Sequence, residues 1–187
     1  MTPNQIIDQT KSKFTQAVGH LQDELKKIRT GRAHPSMLDG ITVEAYGTPM
    51  PLVQVATVSV PESQLLQITP FDPGNLQAIA SAIRDNPALG LNPSDDGRVV
   101  RVPIPPLTEE RRKEYVKVLG GKVEDTLISM RSARHDALKD AEEAKKKREL
   151  TEDDYNSVKK QLDELMAKEK AQIEALAKAK ESEILTV

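Results

Sequence analysis

The sequence predicts an α+β chain: a long three-helix bundle with a small β-rich α/β domain inserted after the first helix, in an L-shaped two-domain architecture. Two observations carry this expectation. From Lys122 to Val187 there is neither glycine nor proline, the residues that cost a helix interior about 1 and about 3 kcal/mol against alanine. Eleven of the twelve prolines lie between Pro35 and Pro106, a stretch that reads as strands and turns. The bundle is expected in residues 1–30 and 104–187, and the inserted domain in residues 31–103.

The first helix opens at Thr2-Pro3-Asn4-Gln5, with a threonine cap, proline at the first helical position and glutamine three residues after the cap. Phe14, Val18, Leu21, Leu25 and Ile28 then form one helical stripe. Gly19 within it either weakens the helix slightly or admits a close neighbour. The pattern stops at Arg29-Thr30-Gly31. In the middle, Ile41, Val43 and Ala45 alternate with Thr42, Glu44 and Tyr46 in the manner of a strand. Gly47-Thr48-Pro49 is expected to turn the chain. Val53-Val55, Val58-Val60 and Leu66-Thr69 read as further strand. Asp72-Pro73 starts a short helix whose apolar face is Leu76, Ile79, Ala80 and Ile83, ending near Asn86-Pro87. Asp96-Gly97 reads as a two-residue turn, with a last strand from Arg98 to Val102.

The second long helix begins at Thr108-Glu109-Glu110 and carries the stripe Val116, Leu119, Val123, Leu127, Met130, Ala137, Ala141 and Ala144. Its expected length to Arg148 is about 60 Å at about 1.5 Å per residue, with a bend allowed at Gly120-Gly121. A reversal is expected near Glu149-Leu150. Thr151-Glu152-Asp153-Asp154 then caps the third helix, whose inner face is Tyr155, Val158, Leu162, Leu165, Ile173, Leu176 and Ile184. The inserted domain joins the bundle at one end only, which gives the expected elbow.

Composition removes several classes of function. There is no cysteine, so disulfide and thiol chemistry are excluded and a reducing cytoplasm is the expected location. No segment approaches the roughly 18 apolar residues of a membrane span. The net charge of −2 divides into +2 over residues 1–31, −3 over 32–103 and −1 over 104–187. Bulk charge therefore does not point to nucleic acid, and any such site is a local patch. Only five aromatics are present, too few for a base-stacking platform.

No catalytic constellation, metal site or cofactor site is expected. His20, His34 and His135 lack partners at metal-ligand spacing. Gly120-Gly121-Lys122 lacks the Ser or Thr that a phosphate loop needs next, since Val123 follows. Asn92 to Gly97 resembles the start of a calcium loop, but Pro103 stands where its last glutamate belongs. The arginines are the informative cations. Arg131 and Arg134 share one side of the second helix, and Arg111 and Arg112 lie nearer the elbow. Two readings stand: surface pairs with glutamates, or phosphate contact through arginine's fork.

Lys27-Ile28-Arg29-Thr30-Gly31-Arg32-Ala33 with Pro35, Ser36 and Leu38 closely resembles the elbow motif of bacterial ribosome recycling factors. So do Tyr46-Gly47-Thr48-Pro49, Leu89-Gly90-Leu91-Asn92-Pro93, Arg101-Val102-Pro103 and the run from Pro105 to Lys113. Arg131, Arg134 and Asp136 fit as well, while His135 stands where many members carry another arginine. The resemblance runs from end to end.

It implies a factor that binds the post-termination ribosome between the subunits, with its helical domain on the rRNA of the large subunit. It also implies elongation factor G as partner, whose GTP hydrolysis separates the subunits and releases mRNA and tRNA. The factor itself would be a monomer without membrane contact, without cofactor and without chemistry of its own. The expected rRNA contacts are Arg134, Arg131, Arg29, Arg32, Arg111 and Arg112. The expected hinge is Thr30, Gly31 and Arg32 with Pro103, Ile104, Pro105 and Pro106. The rival readings are a coiled-coil adaptor, which would dimerise and ignore ribosomes, and an enzyme, for which no acid, base and nucleophile converge.

Overall fold

A computed structural model describes residues 2–186; the expected domain ends at Met1 and Val187 lie outside them. The chain forms two compact units, one of residues up to Arg29 and from Glu109 onward, the other Thr30–Thr108.

The first unit is three helices. α1 spans Pro3–Lys26 and begins with the expected capping box: the Thr2 side chain accepts from the Gln5 amide, and Gln5 Oε1 accepts from the Thr2 amide. α4 spans Glu109–Lys146 and α5 spans Glu152–Leu185. Each packs against the other two. The apolar stripes meet in two clusters along the bundle. Phe14, Val18, Leu21, Leu25 and Ile28 pack with Leu119, Met130, Ile173 and Ile184. Ile6 packs with Ala137, Ala141, Ala144, Leu150, Val158 and Leu162. The alanines let helices approach at the end where the chain reverses. Arg148 takes φ +60 there, and the Glu149 and Leu150 amides both donate to the Ala144 carbonyl. Thr151 then caps α5 through a reciprocal pair with Asp154. α4 runs unbroken through Gly120 and Gly121. A Cβ at Gly19 would meet no atom within 4 Å, so no close neighbour explains that glycine.

The second unit contains two antiparallel sheets and two α-helices, the first a single turn. β1 (Thr42–Ala45) pairs with β2 (Thr48–Pro51). β3 (Ala56–Glu62), β4 (Leu65–Pro70), β5 (Ser94–Asp95) and β6 (Val100–Pro103) form a four-stranded sheet in the order β3-β4-β6-β5. Between the sheets in sequence lies α2 (Leu52–Val55), and α3 (Leu76–Arg84) packs on β1, β5 and β6. The Asp72 carboxylate accepts from the Gly74 amide just before α3. Val43, Leu66, Ile68, Ile79, Ala80, Ile83, Val100 and Val102 are fully buried in one core.

Four expectations need correction. Val53-Gln54-Val55 belongs to a helical turn, because the buried pair is Leu52 and Val55, spaced three apart, while Val53 is exposed. The first hairpin turns at Tyr46-Gly47, since Ala45 pairs directly with Thr48, so Thr48 and Pro49 lie in β2. Asp95 pairs with Val100, which makes the Asp96-Gly97 connection four residues long. Asp96 Oδ1 stabilises it by accepting from the Arg98 and Val99 amides, and the last strand therefore starts at Val100. Finally, Ile104 groups with the sheets rather than the helices: it is buried in their core, and its amide donates to the Gln64 carbonyl.

Candidate functional site

α4 positions the arginines. Arg134 is half-buried and reaches across to α5, where its Nε and Nη2 lie 2.7 and 2.5 Å from the same carboxylate oxygen of Asp163. Arg131 stays on its own helix: it pairs with Glu124, and its Nε donates to the Leu127 carbonyl at 3.3 Å. The sequence spacing of three between these arginines places both on one side of α4, but their acidic partners lie on different helices. Asp163 is invisible in the local pattern of α4 because it comes from a helix 29 residues away.

Arg111 and Arg112 are separate from that pair. They lie about 33 Å further toward the start of α4 at about 1.5 Å per residue. Arg111 pairs with Glu114 at 2.9 Å, and Arg112 donates to the Leu185 carbonyl at 3.1 Å, tying the start of α4 to the end of α5. Arg29 and Arg32 are exposed and belong to different units. Within the helical unit, Arg111 and Arg112 thus do not form one continuous patch with Arg131 and Arg134.

Among the expected hinge residues, Gly31 is buried at φ +77, and a Cβ there would stand 3.3 Å from both the Leu107 amide nitrogen and Leu107 Cγ. Only glycine takes that backbone without strain. Thr30 is half-buried, Ile104 is buried, and Arg32, Pro103, Pro105 and Pro106 are exposed.

A groove of about 510 Å³ between α1 and α4 was not foreseen. Lys13, His20 and Lys122 line it, with Glu24 and Asp125 beside them. Glu24 bridges the helices: Lys122 donates to it at 2.6 Å and Lys27 at 2.5 Å. The Lys122 bond, then the Lys27 bond, pull the Glu24 carboxyl down to about 2. The signal was present as Lys13, His20 and Glu24 at helical spacing, but the α4 side of the groove required tertiary packing. No group of three metal-ligating side chains occurs among the described residues. No helix there is long and apolar enough to cross a membrane.

The family pattern described as ribosome recycling factor matches residues 21–185. A ribosome-recycling factor of Corynebacterium jeikeium is 43% identical over 97% of this chain and 98% of its own length. One of Halalkalibacterium halodurans is 45% identical over 98% of each. A solution structure of a ribosome recycling factor superposes with a TM-score of 0.78 at 35% identity, over 99% of this chain and 98% of that one. A second structure holds the T. thermophilus ribosome recycling factor with E. coli elongation factor G, bound to the E. coli post-termination complex. Its factor superposes with a TM-score of 0.65 at 37% identity, over 99% of this chain and all of that one. By pattern, sequence and fold over nearly its whole length, this chain belongs to the ribosome recycling factor family.

Proposed function

We propose that this protein binds the post-termination ribosome between its subunits and, with elongation factor G and GTP hydrolysis by that partner, separates the subunits and releases mRNA and tRNA. The observation that carries this is the end-to-end likeness to a factor bound with elongation factor G on a post-termination complex. It acts as a translation factor with no chemistry of its own, in the cytoplasm, as a monomer. We assign ribosome binding to the helical unit and rRNA contact foremost to Arg134 and Arg131, with Arg29, Arg32, Arg111 and Arg112 as secondary contacts. The two chain crossings, at Thr30–Arg32 and Pro103–Pro106, are proposed as the hinge.

The adaptor reading finds little support in the bundle. Its stripes are consumed by one another, and the large apolar side chains left exposed on α4 and α5 are Val118, Ile128 and Leu185. These are scattered, as ordinary surface apolar residues are.

The test is subunit separation followed by light scattering, with purified ribosomes, elongation factor G and GTP. Splitting that depends on this protein, together with its cosedimentation with large subunits, is the expected result. Absence of both would overturn the assignment.

A further inference from the structure

Two peptide bonds of this chain join aspartate to glycine, Asp39-Gly40 and Asp96-Gly97. At such a bond the chain can close on itself. The side-chain carboxyl carbon lies one five-membered ring away from the next amide nitrogen, and glycine has no Cβ to block the approach. Both glycines are exposed and at positive φ, +77 and +84. The fold nevertheless treats the two aspartates in opposite ways.

Asp96 is locked. Its Oδ1 accepts from the Arg98 and Val99 amides, both at 3.0 Å, and its Oδ2 from Arg101 Nη1 at 2.6 Å. The Gly97 amide, which would have to attack, donates instead to Asp95 Oδ1 at 3.3 Å. The Val99 amide, then the Arg98 amide, with the Arg101 guanidinium, hold the Asp96 carboxyl below the ordinary carboxylate range. An ionised carboxylate is a poor target for a nitrogen nucleophile.

Asp39 has none of these restraints. Its side chain is exposed, and neither its carboxylate nor the Gly40 amide has a hydrogen-bond partner among the described residues. Asp39 takes φ −63 and ψ 141 and Gly40 φ +77, the angles of a type II turn. One backbone bond closes that turn, from the Ile41 amide to the Leu38 carbonyl at 3.4 Å, longer than a usual N–H···O bond. A Cβ at Gly40 would meet no atom within 4 Å. The peptide therefore has room to swing out of the turn and present its nitrogen to the carboxyl carbon.

We propose that Asp39 is a modification site: it isomerises to isoaspartate in the folded protein and so becomes a substrate for a methyltransferase that esterifies isoaspartate. The Gly40 nitrogen bonds to Cγ of the protonated carboxyl, and the amide proton leaves with the carboxyl hydroxyl as one water. The succinimide so formed takes back one water. Addition at Cγ restores aspartate. Addition at the main-chain carbonyl breaks its bond to nitrogen, and the chain then runs through Cβ and Cγ with a free α-carboxylate. That carboxylate receives the methyl group of S-adenosylmethionine, which leaves as S-adenosylhomocysteine. The isomer lengthens the main chain by one methylene between Leu38 and Ile41, which are both buried in the core of the second unit.

The experiment ages the full folded chain at physiological pH and temperature. Samples are then labelled with purified isoaspartate methyltransferase and S-adenosylmethionine carrying a tritiated methyl group, and the label is mapped to peptides. At least two charge-assisted bonds must break before Asp96 can react, each worth about ten-fold, so label should accrue about a hundred-fold faster at Asp39. Asp39→Glu keeps the charge but is one carbon too long for the five-membered ring, and it should lose the label from that peptide. In urea, where the lock on Asp96 is gone, the two sites should label at similar rates. No label at Asp39, equal label at both sites in the folded chain, or undiminished label in Asp39→Glu would overturn the proposal. A rate ratio unchanged by urea would show that the fold makes no distinction between the two bonds, and would overturn it equally.

Discussion

Replacing Arg134 by alanine separates the two roles open to this side chain. In the fold it reaches Asp163 on α5 at 2.5 and 2.7 Å, with 31% of its side chain and 49% of that of Asp163 exposed. A pair so open to solvent contributes about 1 kcal/mol or less to stability. Both contacts converge on one carboxylate oxygen, so the rest of the guanidinium remains able to donate. A charge-assisted bond from it to an rRNA phosphate is worth roughly 1.5–3 kcal/mol. Arg134→Ala should therefore lower the melting temperature by a few degrees at most, yet weaken large-subunit binding about ten- to a hundred-fold. Asp163→Asn keeps the guanidinium and removes the carboxylate that competes with phosphate, so its affinity should equal or exceed wild type. Wild-type binding should also fall as salt rises, because phosphate contacts release counterions. Thermal melts and large-subunit affinities of both variants, beside Lys168→Ala as a control on α5, make the comparison. If Arg134→Ala binds like the control, or if Asp163→Asn loses as much affinity as Arg134→Ala, the arginine serves the bundle and not the RNA.

Glu24 should be visible in the acid limb of stability. Its carboxyl is held at about 2, against an ordinary 4.5, by Lys122 and Lys27. A depressed carboxyl stabilises the fold above its unfolded value and loses that contribution as pH falls toward the folded one. Melting temperature should thus decline between about pH 4.5 and 2, and Glu24→Gln should flatten part of that decline; identical acid limbs for both proteins would reject the bridge. Gly31→Ala should destabilise the second unit by about 1–2 kcal/mol, because φ +77 is strained for an L side chain and Leu107, 3.3 Å from the added Cβ, has to give way slightly. An unaltered melt would show that the loop relaxes freely. Replacing Thr30–Thr108 by a short flexible linker should leave a cooperatively melting helical protein that binds large subunits but does not split ribosomes, since both bundle clusters lie outside that segment. A molten product, read by circular dichroism, would mean the helices need the second unit to fold.

The elements that were legible share one property: their signals are local. Thr2 with Gln5 and Thr151 with Asp154 cap within one turn, and the stripes of α1, α4 and α5 keep to the period of 3.6. The same is true of the alternation Ile41-Val43-Ala45 and of the apolar face of α3. The turn at Tyr46-Gly47 was hidden because tyrosine occupies a position where asparagine or glycine is the usual sign. Val53 to Val55 looked like strand because three residues cannot distinguish a period of two from one of three when two of them are valines. The end of the second unit was misjudged because nothing in Ile104 itself shows that it joins the core containing Leu66 and Val102.

For the candidate site the division is sharper. Sequence alone determined which cations α4 carries and that Arg131 and Arg134 share a side, because a helix fixes the angle between residues three apart. It also determined that the second unit holds no lysine, and through long motifs it pointed to the family. Tertiary structure decided what those cations meet: Asp163 for Arg134, the Leu185 carbonyl for Arg112, and Glu24 for Lys122. It also decided that the Tyr46 hydroxyl donates to the carboxylate of Asp72, 26 residues away. The physical reason is range. Helix period, capping and turn chemistry act over a few residues, whereas ion pairs and exposed patches depend on which distant surfaces the packed core brings together.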